Sequence, residues 1–181
     1  MNKNPGEEII SANRNRWISQ WFDAVINSYP EESAGFFKDT SDPFSNPVGA
    51  TLKKGIKDLF DVVTAGNFDS RAAHEALEPM IRLRALQEFT PSEALGFITD
   101  IKWIIRGDSA ADQNNQAVAE RLDRIAEAAD RALLTAFDIY MECKKHVYDL
   151  RARQARDSVR ELLVKKELIS ELPDIDREPA K

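Results

Sequence analysis

The sequence predicts an all-α fold, a helical bundle with a long C-terminal helix. Three observations carry that prediction. Apolar residues recur three or four positions apart, and no segment keeps the two-residue alternation of a half-buried strand. Glycine and proline fall between the periodic stretches, where they punctuate helices. From about Gln113 to Lys166 there is neither Gly nor Pro, a run far longer than any ordinary strand.

The first helix is expected from about Glu7 to Ser28, with Trp17, Trp21 and Val25 at i, i+4 and i+8 and Ile18, Phe22 and Ile26 beside them. Tyr29-Pro30 stops it, because a residue before proline is pushed out of the helical region. A loop carrying Phe36 and Phe37 follows. Asn46-Pro47 then reads as a start signal, an N-cap amide followed by a residue whose missing N–H would be unbonded anyway. The second long helix runs to about Ala65 and ends at Gly66. Asp69 or Ser70 caps a third, through His74 and Leu77, which Pro79 is expected to kink or interrupt.

The helix restarts through IRLRALQEF and breaks at TPSE, a capping box in which Thr90 and Glu93 bond reciprocally and Pro91 takes the first helical position. The next helix, to about Arg106, carries Ala94, Leu95, Phe97, Ile98, Ile101, Trp103, Ile104 and Ile105 around most of its circumference, and is therefore placed in the middle of the fold. In the last helix, Val118, Leu122, Ile125, Ala129, Ala132, Ala136, Tyr140, Cys143, Val147 and Leu150 form a near-heptad seam that fails beyond Leu150. Glu120–Arg124 and Glu127–Arg131 are i, i+4 pairs in the favourable order on its outer face.

The 181 residues suffice for one domain, which should bury roughly 70% of its extended-chain surface without disulfide staples. The 31 acidic against 25 basic side chains give a net charge of −6, so no global basic field favours nucleic acid. One cysteine, Cys143, excludes an internal disulfide and every multi-Cys zinc site. The N-terminus lacks the apolar core of a secretory signal, and even the greasiest window, Ala94 to Ile105, contains Thr99, Asp100 and Lys102. A cytoplasmic protein is expected, with a loose acidic tail, ELPDIDREPAK, at its end.

Candidate chemistry is sparse. His74 with Glu78 offers two ligands on one helix face, too few for zinc. Cys143 and His146 stand at i, i+3, but no orienting third group or oxyanion donors accompany them. No phosphate-cradling glycine loop, HExxH or GxSxG occurs. The expectation is no enzyme, no catalytic residue, no metal and no cofactor. The aromatics Trp17, Trp21, Phe89, Phe97, Trp103 and Tyr140 lie on apolar faces; they either fill the core or line a small apolar ligand pocket. Between Lys144 and Lys166 eight Lys/Arg stand against three acidic residues, a local +5 that leaves −11 elsewhere. Arg153, Arg156 and Arg160 there are either a solvated face favoured by the helix dipole or a surface for a protein partner. Nucleic acid is disfavoured, because no aromatic residue follows Tyr148 to stack on bases.

Trp17, the Tyr29-Pro30 stop, Phe36-Phe37, the DPFSNPVG turn, RALQEFTPSEALGFITDIKWIIR (Arg84 to Arg106) and AFDIYMECKKHVYDLR (Ala136 to Arg151) resemble the N-terminal domain of the RsbR/RsbRD-type RsbT co-antagonists, from about residue 10 to 155. The most specific piece is Arg84 and Gln87 followed by Pro91-Ser92. The resemblance implies a haemless globin-like sensor domain over 1–155, with 156–181 as helical extension and tail. It implies a non-enzymatic, dimeric regulatory module that responds to a small apolar ligand or a protein partner. In that family the last helix leads into a STAS domain; none follows here, so output is expected in trans. The alternative is an accessory subunit that docks on a larger enzyme or signalling complex through its basic C-terminal helix.

Overall fold

The computed structural model describes residues 5–39, 44–87, 89–108 and 115–166. They form seven helices: α1 (Pro5–Asn27), α2 (Glu31–Lys38), α3 (Pro47–Val63), α4 (Ser70–Leu86), α5 (Pro91–Leu95), α6 (Phe97–Asp108) and α7 (Gln116–Lys165). No strand occurs among the described residues. The all-α bundle with a long last helix is therefore the observed fold. Contacts divide the chain into two units, Met1–Cys143 and Lys144–Lys181. The acidic tail lies outside the described residues.

In the first unit α3 packs on α4, and α1 packs on both α6 and α3. Trp17, Trp21, Val25 and Ile26 of α1 are fully buried with Leu52, Ile56, Leu59 and Phe60 of α3, Leu77, Met80 and Ile81 of α4, and Ile98, Ile101 and Ile105 of α6. From α7, Val118 through Tyr140 add the expected seam, with Ala129, Ala132 and Ala136 fully buried. Burial on this seam ends at Tyr140, earlier than expected. Cys143 is half-buried and, in the second unit, Leu150 is 44% exposed.

The local signals act as read. Asp69 Oδ1 accepts from Arg71 N (2.8 Å) and Ala72 N (3.2 Å) at the start of α4. Gly66, at φ 86°, turns the chain after α3 in the left-handed region open to glycine. Asn46 caps α3 through Oδ1, which accepts from Gly49 N at 2.8 Å.

Several expectations are corrected. Phe36 and Phe37 sit on a helix, α2, instead of a loop. Asn46 explains how so short a helix ends: its Nδ2 donates to the carbonyls of Phe36 (2.9 Å), Phe37 (3.1 Å) and Asp39 (2.6 Å), at the end where helix carbonyls run short of main-chain donors. Of the two outcomes expected at Pro79, a kink or an interruption, the interruption does not occur: α4 runs through it. It stands on the exposed face, so water can meet the Glu75 carbonyl that its ring deprives of a donor. The helix after the capping box divides at Gly96 into α5 and α6, and Gly107 lies inside α6. α6 is not buried all round either: Trp103, two residues past Ile101 and so on the far side, is 72% exposed. Lastly, on α7 Arg124 Nε turns to the Glu120 carbonyl (3.3 Å) and Arg131 stacks over the Phe68 ring at 4.4 Å, in place of the expected i, i+4 ion pairs.

Candidate functional site

Arg84, an arginine in the middle of a helical chain, would ordinarily be read as a solvated residue. It is wholly buried. Its position on α4 faces α5, a five-residue helix too short to stand alone. Thr90 secures the N-terminus of α5: Thr90 N donates to Glu93 Oε2 (2.9 Å) and Glu93 N to Thr90 Oγ1 (3.4 Å). Arg84 secures the other end. Its Nε donates to the Ala94 carbonyl (2.9 Å) and its Nη2 to the Glu93 carbonyl (2.7 Å), two of the acceptors a helix C-terminus leaves open. Nη2 also reaches Ser28 Oγ (2.9 Å) at the end of α1. One side chain thus joins α1, α4 and α5.

Aromatic rings surround the guanidinium. Its carbon lies 4.4 Å from the Phe89 ring centroid, 4.9 Å from Tyr29 and 5.5 Å from Phe97, distances at which a desolvated cation gains from the ring faces. Tyr29 meets Phe37 and Phe89 edge-on, at 5.0 and 5.3 Å. Tyr140 on α7 donates its hydroxyl to the Phe89 carbonyl (2.9 Å). Two buried polar atoms are left over: Arg84 Nη1 and the Tyr29 hydroxyl have no hydrogen-bond partner. Burial pushes the Tyr29 phenol above its ordinary value, and neighbouring Arg84 pulls it part of the way back. Burial likewise lowers Arg84, against the pull of Tyr29 and Glu93.

In front of this box lies an open cleft of about 530 Å³, lined among others by Tyr29, Ser33, Phe37, Gln87, Phe89 and Glu93. That volume is in the range of small-molecule sites.

The six aromatics expected to line one ligand pocket divide into three places. Trp17 and Trp21 are fully buried, with Trp17 Nε1 donating to Asp108 Oδ2 (2.9 Å) and Trp21 Nε1 to the Phe97 carbonyl (2.6 Å). Their polar atoms are satisfied and their rings fill the core. Phe89, Phe97 and Tyr140 gather at the Arg84 box. Trp103 is on the surface, so it lines no interior with the others. What sequence reasoning missed is the pair at the centre, Arg84 and Tyr29. The signal available was the Arg84/Gln87 stretch that carried the family resemblance.

The remaining candidates hold few partners. His74 and His146 are exposed, and among the described residues no three His, Cys, Asp or Glu side chains converge as a metal site would need. Burial pushes the Cys143 thiol up, the reverse of what a nucleophilic thiolate requires. In the second unit Arg153, Arg156 and Arg160 are exposed on α7. Arg156 Nε touches the Ala152 carbonyl at 3.3 Å, and Arg160 lines a shallow open depression with Asp157, Glu161, Val164 and Lys165. Val159 and Leu162 on the same stretch are 55% and 61% exposed. Among the described residues no helix is long and apolar enough to cross a membrane.

No curated protein and no solved structure matches the chain. The model of the RsbT co-antagonist protein rsbRD N-terminal domain matches residues 15–155, a span that contains both the Arg84 box and its capping neighbours. The chain therefore belongs to the RsbT co-antagonist rsbRD N-terminal domain family, a family of signalling domains.

Proposed function

We propose that this chain is a non-enzymatic, dimeric signalling module with a haemless globin-like fold, working in the cytoplasm and responding to a small apolar ligand or a protein partner. The observation that supports it best is a row of large apolar side chains left in solvent. Leu134, Phe137 and Met141 follow one another at spacings of three and four along α7 and are 67%, 45% and 48% exposed. We assign Trp103 on α6, 72% exposed, to the same face, because the Lys102–Asp130 ion pair ties α6 to α7 one residue from Trp103 and one turn before Leu134. A soluble chain leaves such a row uncovered at a cost in solubility, and a second copy presenting the same row covers it by two-fold symmetry. The resemblance supplies the globin-like part of the reading.

The signal would pass as a change in helix packing, which a ligand biases only by binding one arrangement better than the other. Sedimentation of the whole chain tests the dimer. The wild type should sediment as a dimer and the Phe137→Asp/Met141→Asp variant as a folded monomer; a monomeric wild type refutes the proposal.

The second reading, an accessory subunit docking through the basic helix, draws on the exposed Arg153, Arg156 and Arg160 beside Val159 and Leu162. Reversing the three charges separates the two. It should abolish capture of a partner under this reading and leave the dimer unchanged under the first.

A further inference from the structure

Arg84 carries a full charge away from water, and among the described residues no ion pair includes it. The nearest acid acting on it, Glu93, has its carboxylate bound to Thr90 N and Oγ1 (2.9 and 2.7 Å) and so turned to the capping box. Three of its hydrogen bonds go to neutral acceptors, and Nη1 is left with none. Beside it the Tyr29 hydroxyl, on a residue 7% exposed, interacts with the Arg84 guanidinium but, like Nη1, has no partner in good hydrogen-bond geometry. A buried donor without an acceptor costs free energy, and a charged one costs more. Two such donors together, behind rings that also wall an open cleft, describe a place made for something that brings the acceptor with it.

We propose that the Arg84–Tyr29 box is the inner end of a ligand site whose occupant is a small carboxylate with an aromatic or short aliphatic body. The carboxylate supplies the acceptor oxygens for Arg84 Nη1 and the Tyr29 hydroxyl and a counter-charge that no ion pair among the described residues provides. The body lies in the cleft against Phe37 and Phe89, which offer ring faces and edges. Both rings are half-buried, so the ligand is admitted when one of them turns aside. The proposal names a site and a ligand class for the sensor reading above. Binding itself stands apart from dimerisation, because none of these residues is on the Leu134–Met141 row.

The test is a titration of the whole chain, isotope-labelled, with sodium benzoate, followed by nuclear magnetic resonance at the Arg84 Nε–H and Tyr29 ring signals. Benzamide and inorganic phosphate serve as matched probes at equal ionic strength. Benzoate should shift both signals saturably. Benzamide, which keeps the ring and drops the charge, should bind about tenfold more weakly. Phosphate should leave both signals in place, having no body for the cleft. Tyr29→Phe removes a hydroxyl that makes no well-formed hydrogen bond and whose contribution to folding is limited to its interaction with the Arg84 guanidinium, so the variant should fold nearly as well as the wild type and bind benzoate about fivefold more weakly. Its sedimentation should match the wild type, which separates failure here from failure of the dimer. Absence of a saturable benzoate shift, equal binding of benzamide or phosphate, or unchanged affinity in Tyr29→Phe each overturns the proposal.

Discussion

Asn46 shows how much one amide can organise. It is 2% exposed, accepts from Gly49 N with its oxygen, and donates with its nitrogen to three carbonyls at the end of α2. Asn46→Asp keeps the cap on α3 but turns a carboxylate oxygen toward those three carbonyls. It should cost about 3 kcal/mol, read as a drop in melting temperature; a loss no larger than an ordinary cap exchange would show that the α2 contacts contribute little. Glu93 gives a pH-dependent counterpart. The Thr90 main-chain N–H, followed by the Thr90 hydroxyl, holds its carboxyl below the ordinary 4.5. A carboxyl depressed in the folded state adds stability above its unfolded value and loses it as pH falls through the folded one. The wild type should therefore melt above Glu93→Gln at neutral pH, with the difference shrinking below pH 4.5; a difference constant into acid contradicts this. At this scale the sequence was informative wherever partners are three residues apart, as in Thr90–Glu93 and Asn46–Gly49. It was silent where the partner is distant. Nothing near Arg84 in the chain announces Ser28, 56 positions away, or the ring of Tyr29.

Among the elements, α4 carries a proline without breaking. Because Pro79 is exposed and its ring removes one helix hydrogen bond, Pro79→Ala should stabilise the chain by about 1 kcal/mol or more. A loss instead would mean that the proline shapes how α4 meets α3. On α6 the inward arc is Phe97, Ile98, Ile101 and Ile105. Ile101→Asp puts an unpaired charge into that arc and should cost several kcal/mol, about 4 at least, enough to abolish cooperative unfolding in a marginal domain. An unchanged melting temperature would remove α6 from the core. Helix existence was legible from periodicity, and so were the starts at Asn46, Asp69 and Thr90. α2 was not legible, because eight residues with two phenylalanines and a glycine show too little period, and the helix depends on Asn46 to end it. Nor was the exposed side of α6, since an apolar residue that meets water and one that meets the core look alike in a sequence.

At the scale of the whole molecule, the acidic composition argues against a global field for nucleic acid, the single cysteine excludes an internal disulfide and multi-Cys zinc sites, and the family match gives the fold its signalling context. The buried seam of α7 was visible as spacing, from Val118 to Tyr140, because one helix face repeats regularly. The opposite row was not separated from it: Leu134, Phe137 and Met141 are apolar too, and only packing reveals which row the core takes. That uncovered row, with Trp103, is what the dimer reading rests on. The chain has three tryptophans, two of them wholly buried, so aqueous iodide reaches Trp103 alone in a monomer. Iodide quenching across a dilution series is the most direct measurement. Fluorescence should be protected where the chain is dimeric and become quenchable, through Trp103, as dilution dissociates it. A Trp103 equally quenchable at every concentration, whether the chain is monomeric or dimeric, would contradict a dimer built on this face.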